Sequence, residues 1–113
     1  MKPLLLIIVF SLTLGSLSWA EDIIPGSTAI ATTSVSVRES PPTKQLIGFS
    51  PPGKELFTIK EGTSVHVLAR ITVTTFSGNT DWIQISVTNP QTKQEQKGWC
   101  FLSDGRINQF RSP

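Results

Sequence analysis

The chain offers few residues for covalent chemistry. It has one histidine, His66, and one cysteine, Cys100, in 113 residues. A thiol beside an imidazole can act as nucleophile and base, but these two fall on different segments. No serine or carboxylate is spaced to work with either. His66 lies between Val65 and Val67, so alternation along an extended chain turns it away from the side the valines occupy. One histidine without Cys, Asp or Glu at ligand spacing does not make a metal site. Cys100 sits between Trp99 and Phe101, where a free cysteine behaves as a small buried hydrophobe and not as a reactive thiol. The residues therefore point to a non-catalytic protein without cofactor or metal.

Binding is the other chemistry available, and aromatic residues carry it. Trp82 follows the polar turn Ser77–Asp81. It either contacts a ligand or packs at a sheet edge with its indole N–H bonded to a loop carbonyl. Phe49 lies in a proline-rich excursion, and Phe76 ends a β-branched run beside a glycine-containing turn. Loops on a rigid scaffold are where specific contacts are made, so Trp82, Phe49 and Phe76 are the candidate ligand-binding residues. Trp99 and Phe57 are assigned to packing. Pro41-Pro42 and Pro51-Pro52 have no PxxP spacing within either pair and serve as turn punctuation.

The elements that must position these residues are strands. Ser34-Val35-Ser36-Val37 alternates strictly, which puts Val35 and Val37 on one face. The stretch from Glu39 to Glu55, with two proline pairs, reads as one long irregular excursion. Leu56–Ile59 is a short strand, followed by the turn Lys60-Glu61-Gly62-Thr63. Ser64–Ile71 alternates again, with Val65, Val67 and Ala69 expected on one face. Trp82–Thr88 does the same with Ile83, Ile85 and Val87. Lys97–Leu102 is the last clear strand, and Ile107–Phe110 a short terminal strand or half-turn. No segment holds a helical apolar period over ten or more residues. The fold expected is all-β, a small barrel of five to six short strands.

The first 20 residues stand apart. Lys2 supplies a positive charge, Leu4–Phe10 is an apolar run, and Ser18-Trp19-Ala20 is a small-bulky-small end before Glu21-Asp22. These are the three parts of a secretory signal peptide. Ser11, Thr13, Gly15, Ser16 and Ser18 dilute the apolar stretch below the about 20 residues a membrane-spanning helix needs. Residues 1–20 are thus expected to be a cleaved signal, 21–28 a leader and 29–110 the domain, exported to the periplasm or beyond. Once Lys2 leaves with the signal, nine basic residues face eight acidic ones. The lysines are scattered, so the concentrated positive face that nucleic-acid binding requires is missing from the sequence. The mature chain is expected to be soluble, without a membrane span.

In order along the chain, four short patterns resemble the bacterial SH3-like (SH3b) domain. They are Val35-Ser36-Val37-Arg38 with Ser40-Pro41-Pro42 after it, Ile59-Lys60-Glu61-Gly62-Thr63 leading into Ser64–Leu68, Asp81-Trp82-Ile83-Gln84-Ile85, and Lys97-Gly98-Trp99-Cys100-Phe101-Leu102. The match runs from Val35 to Leu102. The stretches Arg38–Leu56 and Asn89–Lys97 are longer than the family usually needs. The resemblance implies an SH3-like barrel and a binding module of the cell envelope, with a cell-wall peptide or an envelope protein as partner. The tyrosine-lined groove of eukaryotic SH3 domains has no counterpart, because the chain has no tyrosine. A small secreted inhibitor or immunity protein, blocking an enzyme through a long loop, is the alternative.

Overall fold

Nine strands form among the residues that the structure describes. The computed structural model describes residues 23–44, 49–75 and 78–113. The expected signal peptide and the cleavage site before Glu21 lie outside the described residues. In chain order the strands are β1 (Thr28–Ala31), β2 (Val35–Arg38), β3 (Thr43–Lys44), β4 (Phe49–Ser50), β5 (Glu55–Ile59), β6 (Ser64–Thr75), β7 (Gly78–Thr88), β8 (Glu95–Ser103) and β9 (Phe110–Arg111). Seven of them make one sheet in the order β5-β2-β8-β7-β6-β1-β9, and β3 and β4 pair separately. Every pairing is antiparallel. No helix occurs among the described residues, and so none there is long and apolar enough to cross a membrane.

The expected all-β, barrel-like fold is what the chain adopts, with more strands than five or six in its main sheet. The run from Ala29 to Arg38 divides at Thr32–Ser34. β1 then pairs with β6 and β9, while β2 crosses to the other flank and pairs with β5 and β8. The segment before β9 curls the sheet toward a barrel. Gln109 N–H donates to the Leu102 carbonyl of β8, and the Gln109 carbonyl accepts Thr32 N–H at the end of β1, both at 2.9 Å. Gln109 thereby ties two strands that the sheet order keeps three places apart.

The core follows the period of two. Val35 and Val37 of β2, Val65 and Val67 of β6, Ile83, Ile85 and Val87 of β7, and Cys100 and Leu102 of β8 all bury against one another, with Phe110 and Ile23 completing the cluster. The turn into β6 is made by Gly62, whose φ of 87° lies in the left-handed region that glycine enters without steric cost.

One expected face is corrected by the structure. Ala69 does not continue the row of Val65 and Val67. Val67 pairs with Ile85 but Ala69 pairs with Gln84, so Leu68 is an extra residue, a β-bulge. Beyond it the alternation changes phase. Leu68 is left exposed, Ala69 is only half-buried, and Arg70 takes the position opposite Ile83. A charged group on that row needs partners. Arg70 donates to the Ile23 carbonyl at 3.0 Å and forms an ion pair with Asp81.

Cys100 is fully buried, and its removal from water pushes the thiol pKa up to about 12. Native protein is therefore expected to resist a thiol-alkylating reagent at neutral pH, and to react once unfolded. The sign of the linkage follows. The protonated thiol is favoured in the folded state, so its contribution is full below the ordinary value and is lost as pH rises from 9.0 toward 12. Rapid labelling of native protein, followed by mass spectrometry, would contradict the buried assignment.

Candidate functional site: an aromatic cleft on the outer face

The inward rows of β2, β7 and β8 are apolar, so their outward rows decide what the sheet presents. On β8, Cys100 and Leu102 point in, which leaves Trp99 and Phe101 pointing out. On β2, Val35 and Val37 point in, and Ser36 and Arg38 point out. On β7, Trp82 alternates with Ile83 and joins the outward set. The registers bring these together. Arg38 lies opposite Trp99, and Trp82 lies opposite Phe101. The Trp82 and Phe101 rings meet edge to face, with centroids 5.6 Å apart and planes at 80°, a geometry in which the ring quadrupoles attract.

The long excursion supplies the other wall. Its two ends are laced by Glu39 N–H to the Lys54 carbonyl at 3.0 Å and Gly53 N–H to the Ser40 carbonyl at 2.9 Å. Arg38 Nη1 donates to the Gly53 carbonyl at 3.1 Å, which holds Pro52 beside the outer face. Between this arm and the sheet opens a cleft of about 290 Å³, lined by Ser34, Ser36, Arg38, Pro52, Trp82, Phe101 and Gln109. Ser36 donates its hydroxyl to Glu55 Oε1. Among the described residues the lining holds no histidine, cysteine or carboxylate. It offers apolar surface, a guanidinium, hydroxyls, an amide and an indole, which suit recognition of a bound segment.

Trp82 belongs both to the packed interior and to the cleft wall. It is packed, with 7% of its surface exposed, yet it lines the cleft. Its Nε1–H finds no hydrogen-bond partner among the described residues, so the loop carbonyl expected for a packed indole is missing. Phe49 is placed by its backbone on β4. Its strand pairs Phe49 with Lys44 in the separate two-stranded sheet. Phe76 lies outside the described residues. Trp99 is half-buried on the same outer row as Phe101. His66 is exposed on the outer row of β6, opposite Thr28 and Ser86, and no group of three or more His, Cys, Asp or Glu able to hold a metal occurs among the described residues.

Sequence reasoning missed Arg38, Phe101 and Gln109 as cleft residues. The signal for the first two was present: each is one step from an apolar residue on a strict alternation, Val37 and Cys100, and so had to face outward. Gln109 carried no such signal, since only the return of the chain to β8 places it there.

A second, larger cleft of about 470 Å³ lies between the β6–β7 hairpin and the turn at Asp104–Asn108. Its charged groups answer one another. Asp81 is paired with Arg70 and accepts Thr72 Oγ1–H at 2.8 Å. Asp104 accepts the backbone N–H groups of Arg106 and Ile107 at 2.9 and 3.1 Å, and these bonds hold its carboxyl below the ordinary aspartate value. This arrangement braces a turn and a hairpin, and the aromatic cleft is the better candidate for ligand binding.

Compared with protein-family models, with curated proteins and with solved structures, the chain matches none.

Proposed function

We propose that the protein is an exported, non-catalytic binding module of the bacterial cell envelope, of the bacterial SH3-like kind, that holds a cell-wall peptide in its aromatic cleft. The observation that carries the reading is the cleft itself. An extended segment laid along the outer face would meet the edges of Trp82 and Phe101, the rim of Pro52 and the donors of Arg38. Aromatic and arginine side chains are the residues that most often dominate recognition energy. The four patterns from Val35 to Leu102 and the signal-like N-terminus support the same reading: the domain of residues 29–110 would act in the periplasm or outside the cell.

Sedimentation with purified peptidoglycan tests it. Wild-type protein is expected to pellet with the wall polymer. Phe101→Ala, which removes the cleft's half-exposed ring without emptying the core, is expected to weaken that binding about tenfold, the scale of a modest hot spot. A thermal melt of the variant checks that the fold survives. Protein isolated from the envelope fraction should begin at Glu21 by mass. Failure to pellet would overturn the wall reading, and recovery of one stoichiometric protein instead would point to an inhibitor of that partner.

A further inference from the structure

Among the described residues, the lining of the aromatic cleft is rich in donors and includes no carboxylate. Arg38 and Trp82 can only donate hydrogen bonds, through five guanidinium N–H groups and one indole N–H. The Ser34 hydroxyl and the Gln109 amide add donors to the same lining. Glu55, the cross-strand neighbour of Arg38 on β5, is not in that lining and accepts the Ser36 hydroxyl. Arg38 spends one N–H on the Gly53 carbonyl, a neutral partner, and makes no ion pair among the described residues. The Trp82 N–H is buried and without a partner among the described residues. A donor already stripped of water returns most of a hydrogen bond to any acceptor that reaches it, because its desolvation has been met in advance.

We propose that this cleft selects a carboxylate carried on an extended peptide, with the Arg38 guanidinium as its charge partner and the Trp82 indole N–H as a second donor. The proposal rests on the preceding reading that the cleft is a peptide site, and adds the chemical group it recognises. Pro52 and Phe101 then cover the apolar atoms next to that group. A guanidinium can take a carboxylate with two parallel N–H bonds, which a neutral amide cannot reproduce.

The test uses the intact protein, labelled with nitrogen-15, and two probes of one shape: acetyl-alanyl-alanine and its C-terminal amide. The Trp82 indole resonance is identified by its disappearance in Trp82→Phe. The acid is expected to move that resonance downfield in a saturable way, and the amide to bind at least tenfold more weakly. Acetyl-aspartate amide, which carries a side-chain carboxylate only, tells chain ends from acidic side chains. Movement with either acid supports the proposal; equal response to acid and amide, or no response of the Trp82 indole, overturns it. Arg38→Gln should lose the preference for the acid, and Arg38→Lys, which keeps the charge but not the fork, should retain part of it. Wall sedimentation of Arg38→Gln separates the two readings. Undiminished pelleting overturns the carboxylate proposal and leaves the wall reading intact. A carboxylate response in protein that does not pellet supports the proposal while the wall reading fails.

Discussion

Phe110→Ala is expected to destabilise the protein by about 3–5 kcal/mol, the range for removing a fully buried phenylalanine. Small domains have a total margin of only about 5–15 kcal/mol, so much of the variant should be unfolded well below the wild-type melting temperature. The reason is position as well as size. Phe110 has no exposed surface and belongs to the central cluster. It also fills a two-residue strand that, among the described residues, pairs only with β1, next to Gln109, which joins β8 to β1. Emptying that site removes the anchor that holds the curl closed. Three residues away, Ile107 is 59% exposed, and Ile107→Ala should change stability by no more than about 0.5 kcal/mol. Urea unfolding of the two variants beside wild type measures both. A Phe110→Ala protein as stable as Ile107→Ala would show that the C-terminal strand is not part of the cooperative unit.

The second large effect is expected at Gly98. A Cβ built there would stand 2.2 Å from Val37 Cγ1 and 3.1 Å from the Arg38 carbonyl oxygen. The first distance is far inside van der Waals contact and must be relieved by moving β2 away from β8. Gly98→Ala is therefore expected to cost about 1–3 kcal/mol as an overpacked core position. It should also weaken ligand binding, because Arg38 hangs from the strand that has to move. The double variant Gly98→Ala/Val37→Ala removes the clashing methyl, and should be more stable than the sum of the two single changes predicts. That coupling, read from a double-mutant cycle by chemical denaturation, separates a steric clash from a general intolerance of β8. Strict additivity would mean that the two residues do not press on each other.

These two positions show why alternation was informative and where it stopped. Val37, Val65, Val67, Ile83 and Ile85 could be placed inside from their period alone, because side chains on a strand have only two sides and one of them must be apolar. The same rule put His66 outside, while Cys100 was placed inside by its apolar neighbours. Alternation failed at Leu68, where one extra residue in β6 reversed the phase and put Arg70, not Ala69, on the inner row. Nothing local marks that bulge. It depends on the match between β6 and β7 and on the ion pair waiting at Asp81.

By itself, then, the sequence determined the all-β class, the inward rows and most of the turn positions, since each of these is set within a few neighbouring residues by side-chain period and by the backbone limits of glycine and proline. For Trp82 it left two alternatives, packing and contact, and the structure shows it packed and lining a cleft. Tertiary structure alone decided which outward rows become a surface with a shape. Arg38 and Trp82 are 44 positions apart in sequence, and they share a cleft because β8 lies between their strands in the sheet order. Phe101 meets Trp82 through a cross-strand register, and Gln109 arrives through the closing return of the chain. Contacts of this kind depend on strand order and register. Those are settled by how the whole apolar set packs at once, so no single stretch of the sequence contains them.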